Sequence, residues 1–216
     1  MTEEEAARFR AAAAETTLYA LYATALDTGL RSGELLGLQW RDMNLGADAG
    51  YIRVAETLKK GEDRRLIRGS LKTVSSRRAV TLPRATIEVL REHRKRLFRE
   101  GLGRSPWVFP NSDGGPLNKD NVNHRSLKPL LARAGLPNNV TFQILRRTHG
   151  TLLASKGVSP RAVQERLGHS NVRTTLEFYT EVVPSMRDAA VEALDEMASN
   201  CGQNCGQTDK QDAAGQ

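Results

Sequence analysis

The chain has 216 residues, 39% apolar and 26% charged, enough to bury one sizeable core or two small ones and too hydrophobic for wholesale disorder. A formal charge of +7 and a pI of about 9.7 favour an anionic partner. The chain has no apolar run of membrane-spanning length, an acidic start (MTEEEAARFR) unlike a signal peptide, and only two Cys and four His for a zinc site, so a cytoplasmic protein without a membrane partner is expected.

Thr2 followed by Glu5 forms a capping-box pattern, and helix continues through Ala6 to Ala14. A second helix follows through Leu18, Tyr22 and Leu26 and ends near Gly29. In TGLRSGELLGLQW, Ser32 is the expected cap of a helix whose apolar side is Leu35, Leu36 and Leu38, with Trp40 covering its end. Arg31 falls at the turn before that helix, and Glu34 is close enough to orient its guanidinium. By itself the pair also reads as a plain helix-start ion pair.

After Trp40 the hydrophobic period changes. Tyr51 to Val54, Arg64 to Arg68 and Arg78 to Leu82 read as three short antiparallel strands, the last stopped by Pro83. Lys72 lies in the turn between the last two. Tyr51 to Arg104 holds 16 Lys and Arg against 6 Asp and Glu, a local balance of +10 that exceeds the whole chain's. It reads either as a solvated basic face or as a footprint on DNA phosphates.

Pro83 to Glu100 is an expected helix with Ile87, Leu90 and Leu97 on one face. A loop follows around Trp107-Val108-Phe109, then a helix from Asn118 to Ala134 carrying Asn123, His124, Arg125 and Lys128. His93 and His149 match no chemical pattern and read as structural or solvent-facing.

The most informative stretch is Thr141 to Val182, expected as three short helices. Thr141 caps the first, Gly157 stops it, Ser159-Pro160 starts the second, and Ser170-Asn171 opens the third. It delivers Arg146, His169 and Tyr179. A phenol as nucleophile, with cations on the phosphoryl oxygens, suits attack on a phosphate. Pro184 begins a last helix with Met186, Ala190, Leu194 and Met197 on one side, and residues 200–216 form a polar tail without large apolar residues, expected to be disordered.

These segments resemble the tyrosine recombinase (phage integrase) family. TGLRSGELLGLQW is similar to its first box, KTVSSRR to the pattern following its hairpin lysine, and QILRRT, LGHS and TTLEFYT to its C-terminal boxes. The resemblance runs from Thr2 to about Met197. It implies an α+β fold, mostly helical with a small three-stranded antiparallel sheet, with a catalytic domain over 1–199. It also implies Tyr179 as nucleophile, Arg31, Arg146 and His169 on the phosphoryl oxygens, Lys72 as proton donor to the leaving 5′ oxygen, and Glu34 as support for Arg31. Gln143 stands where the family usually has a histidine. Gln can donate a hydrogen bond but cannot carry a proton at neutral pH.

The implied function is site-specific recombination or integration of double-stranded DNA through a 3′-phosphotyrosine. No metal or nucleotide cofactor is implied, and the expected assembly is a homo-oligomer, a tetramer, on DNA. The last helix would dock on a neighbouring subunit or on its own core. Type IB topoisomerase-like relaxation and a non-catalytic DNA-binding remnant are the alternatives. Family members usually carry a separate DNA-binding domain before the first box, whereas here 30 residues precede Arg31. A fragment, a truncated product and a minimal form are the three expectations.

Overall fold

The computed structural model describes residues 1–46, 49–61, 65–71, 77–180, 191, 194, 195 and 197. Helix α1 (Glu3–Ala14) starts at the expected capping box, with Thr2 and Glu5 bonding each other's backbone N–H. Helix α2 (Tyr19–Thr28) is buried almost all round and ends at Gly29, whose φ of 62° is left-handed. Helix α3 (Ser32–Leu36) departs from expectation at its start. Arg31, not Ser32, is the cap residue, because the Glu34 carboxylate takes the Arg31 N–H at 2.9 Å.

The strands form two separate sheets. β1 (Met43–Asn44), β2 (Gly50–Val54) and β5 (Arg78–Leu82) make a three-stranded antiparallel sheet in the order β1-β2-β5. β3 (Glu56–Lys60) and β4 (Leu66–Ser70) make a two-stranded hairpin. The expected strand at 64–68 therefore does not join the main sheet. It pairs with β3, and the main sheet takes β1 instead. The hairpin lies on α3 through two glycines. A Cβ on Gly33 would meet Leu58 O at 2.9 Å, and one on Gly37 would meet Leu58 N at 2.9 Å, so only glycine admits this approach. Arg68 fastens the same hairpin, pairing with Asp42 and Glu56 and donating to Gly37 O at 3.0 Å.

Helix α4 (Arg84–Arg99) buries Ile87, Leu90 and Leu97 as expected. The expected helix at 118–134 is a composite of α5 (Lys119–Val122), a π turn (Asn123–Leu127) and α6 (Lys128–Arg133). Pro129 lacks an N–H and its ring crowds the preceding turn, which the wider π turn accommodates. Helices α7 (Phe142–Ser155), α8 (Pro160–Leu167) and α9 (Val172–Thr180) follow, capped by Thr141, Ser159 and the Asn171 side chain.

The main core gathers around Tyr22, whose ring meets Phe9 edge-on at 5.6 Å and stacks on Phe142 at 6.4 Å. A second apolar cluster joins Ala154, Val163, Leu167, Phe178 and Tyr179 across α7, α8 and α9. Leu194 and Met197 of the expected last helix are exposed, which argues against packing on the chain's own core. No helix among the described residues is long and apolar enough to cross a membrane.

Candidate active site

The site is built on the C-terminal end of α8. The last carbonyls of a helix have no intrahelical partner and carry its negative partial charge. Three successive ones each accept from an arginine brought from elsewhere. Arg78 Nε of β5 donates to Arg166 O at 2.7 Å, Arg146 Nη2 of α7 to Leu167 O at 2.8 Å, and Arg31 Nη2 to Gly168 O at 3.1 Å. Gly168 turns the chain with φ 68°, and a Cβ there would meet Arg78 Nη1 at 2.8 Å. His169 follows at once.

Glu34 is the countercharge for two of these arginines. It is 1% exposed, pairs with Arg31 at 2.9 Å and with Arg78 at 2.9 Å, and also takes the Arg31 N–H. Burial by itself raises its pKa, but the hydrogen bond and charge of Arg78, then those of Arg31, outweigh burial and hold the carboxyl below its ordinary value. Arg146 is almost fully buried and also donates to Gly29 O at 2.7 Å. Burial, then the charge of Arg31, pushes its pKa down to about 9, which leaves it a cation at neutral pH.

His169 is placed among these cations. Burial, then Arg146, Arg31 and Arg78, pushes it down to about 4, so it is neutral at pH 7. Its Nδ1 lies 2.9 Å from Thr175 Oγ1, and its ring contacts Phe178 at 5.8 Å. Phe178 in turn sits on Gly150, where a Cβ would meet the ring at 2.5 Å.

Beside the arginines is a cleft of about 440 Å³ lined by Arg31, Lys119, Asn123, Gln143 and Arg146. Arg31 keeps 45% of its side chain exposed, and Gln143 is exposed one helical turn before Arg146. A second cleft shares Ser32 and Lys119 with the first and adds Lys59 and Lys60. Tyr179 is not on the cleft wall. It is 8% exposed within the second apolar cluster, and its hydroxyl donates to Val158 O. Burial raises its pKa. Lys72 lies outside the described residues.

Among the sequence-derived site residues, Arg31, Glu34, Arg146 and His169 thus meet at one helix end, and Gln143 faces the adjoining cleft. Sequence reading missed Arg78 as the second partner of Glu34. It also missed Arg166, which donates to His149 Nε2 at 3.0 Å and to Asp27 O at 2.8 Å and so anchors the end of α8. Arg78 falls inside KTVSSRR and Arg166 inside ERLGH, but a surface arginine looks the same in sequence.

The phage integrase family model matches residues 1–186. The chain belongs to that family. It is 34% identical over 213 residues to a tyrosine recombinase XerC-like protein of Caldanaerobacter subterraneus subsp. tengcongensis, covering 91% of this chain and 54% of the relative. It is 33% identical over 172 residues to tyrosine recombinase XerD of Rhizobium meliloti, covering 79% and 49%. The chain spans about half the length of these relatives. The fold is similar to the Tn1549 transposon integrase solved with transposon right end DNA, at a TM-score of 0.71, 22% identity and coverage of 88% and 65%. It is also similar to XerH recombinase bound to palindromic difH, at a TM-score of 0.65, 24% identity and coverage of 88% and 52%.

Proposed function

We propose that residues 1–199 form the catalytic domain of a site-specific DNA recombinase that cuts and rejoins double-stranded DNA through a 3′-phosphotyrosine. The observation that carries this reading is the set of arginines converging on the end of α8 beside an open cleft. A scissile phosphate entering the cleft would meet Arg31 and Arg146, with the neutral His169 close to both arginines. Fixed donors aimed at developing charge are the main electrostatic aid to such a step. The Tyr179 oxygen attacks phosphorus as its proton passes to solvent, the bond to the 5′ oxygen breaks, and that oxygen takes a proton from Lys72. The phosphodiester's energy stays in the phosphotyrosine, and a second 5′ hydroxyl reverses the step.

Tyr179 must first leave the carbonyl of Val158, so attack needs α9 to shift. The Lys59, Lys60 and Lys119 cleft continues the phosphate track. The exposed Leu194 and Met197 support docking of the C-terminal segment on another copy in a tetramer on DNA. The test is incubation with a nicked suicide duplex followed by a denaturing gel. A Tyr179-linked adduct is expected. Its absence, with DNA binding retained, would favour a binding remnant, and relaxation of supercoiled plasmid would favour a topoisomerase.

A further inference from the structure

We propose that Thr175 is a positioning residue that holds His169 in the tautomer protonated on Nε2, leaving that N–H for the scissile phosphate. The proposal rests on the strand-transfer reading and adds a residue to it.

Thr175 is 0% exposed on α9, and its Oγ1 lies 2.9 Å from His169 Nδ1. A buried hydroxyl proton needs an acceptor. A helical threonine often finds one in the carbonyl four residues back, as Thr180 does with Leu176 O at 3.2 Å. Thr175 does not. Among the described residues its only hydrogen-bond partner is His169 Nδ1. If the hydroxyl donates, Nδ1 is an acceptor, and a neutral imidazole must carry its proton on Nε2. The opposite arrangement strands a buried donor.

The surroundings make the tautomer matter. The charged groups facing His169 are Arg31, Arg78 and Arg146, from the start of α3, from β5 and from α7. All are cations, so the ring is kept neutral and offers one N–H, not two. The Phe178 ring lies against the imidazole, 5.8 Å between centroids. Thr175 also lies one turn before Tyr179 on the same helix, so the two side chains share a face. The seat of α9 therefore governs the nucleophile and the histidine's proton together.

The test uses the full chain labelled with [15N]histidine, with His169→Gln to identify the His169 signals. Two-bond 15N–1H spectra at neutral pH report the tautomer without any DNA. The parent and Thr175→Ser are expected to show Nε2–H. Thr175→Val keeps the shape and loses the hydroxyl. It is expected to shift the signal towards Nδ1–H and to slow single-turnover cleavage about 10- to 100-fold, the usual scale for a histidine that loses its orienting partner at a metal site, while DNA binding stays. Nδ1–H in the parent, or an Nε2–H signal unchanged by Thr175→Val, overturns the assignment. A shifted tautomer with undiminished cleavage overturns its role at the phosphate. Should Thr175→Val not fold, the parent and Thr175→Ser spectra still decide. A parent showing Nε2–H yet forming no covalent adduct defeats the strand-transfer reading and leaves the tautomer assignment standing.

Discussion

The Arg31 guanidinium donates to the carbonyl oxygen of Gly168 at 3.1 Å, across 137 residues of sequence. That bond ties the first family box to the end of α8, and the other guanidinium edge is held by Glu34. Binding a phosphate there needs no new folding of this side chain, since its backbone N–H and its head are already fixed by one carboxylate.

Glu34→Gln should therefore lower stability by about 3–5 kcal/mol, because it removes the charge of the buried carboxylate that pairs with both Arg31 and Arg78. Chemical denaturation of parent and variant measures it. A loss below about 1 kcal/mol would mean that the Glu34 charge is not what holds these arginines in place.

The histidines set the acid side of the stability curve. Burial, then Arg166, pushes His149 down to about 4 from an ordinary 6.5. Its Nδ1 faces Leu26 O at 2.7 Å, so Nε2 accepts from Arg166 and no site is left for a second proton. The unfolded chain binds that proton from about pH 6.5 downward and the folded one does not, so folded stability falls as pH drops from about 6.5 to about 4. The His149 contribution is about 3 kcal/mol at most. Denaturant midpoints between pH 7 and pH 4.5 should fall, and a flat profile would contradict the buried neutral imidazole.

Sequence reading found what residue type and spacing encode. The capping box, the helix end at Gly29 and the three C-terminal helices are local features. It failed where tertiary contact decides. β3 reads ETLKK, without clean alternation, and becomes a strand by pairing with β4 and lying on Gly33 and Gly37. β1 has two residues, too few for a periodic signal. Arg78 and Thr175 acquire roles only from Glu34 and His169, which lie far off or around a turn.

Tyr179→Phe should abolish covalent attachment to a nicked duplex and leave DNA binding intact, since the phenolic oxygen is the only atom removed. The same oxygen bonds Val158 O, so the variant should also lose about 1 kcal/mol of stability. An adduct that survives on a denaturing gel would sink the nucleophile assignment.

Non-specific DNA affinity should fall steeply with salt, with a slope of roughly −0.9 per neutralised phosphate in log K against log salt. The +10 segment overstates that number. Arg68 and Arg78 are 10% and 6% exposed and engaged inside the fold, and Arg94 stacks over Trp40 at 5.0 Å. Lys59→Gln with Lys60→Gln should flatten the slope by up to about two phosphates. A slope unchanged by that pair would remove the second cleft from the DNA path.

Gln143→His should fold as well as the parent and cleave faster. Gln143 is exposed on α7, so an imidazole displaces no core atom and stability should change by less than about 0.5 kcal/mol. It lines the same cleft as Arg31 and Arg146 and lies three residues before Arg146, so both side chains can address one phosphate. Its amide can donate to a non-bridging oxygen but cannot pass a proton. His169, held neutral among three arginines, is a poor substitute as an acid. A positioned acid–base group is typically worth about 10²- to 10⁴-fold, so even partial recovery of that role would be visible in single-turnover cleavage, with a pH dependence that the parent lacks. A variant of parental stability that cleaves far more slowly would show that the amide itself is the group this site requires, and that the departure from the family's histidine is matched by the rest of the cleft.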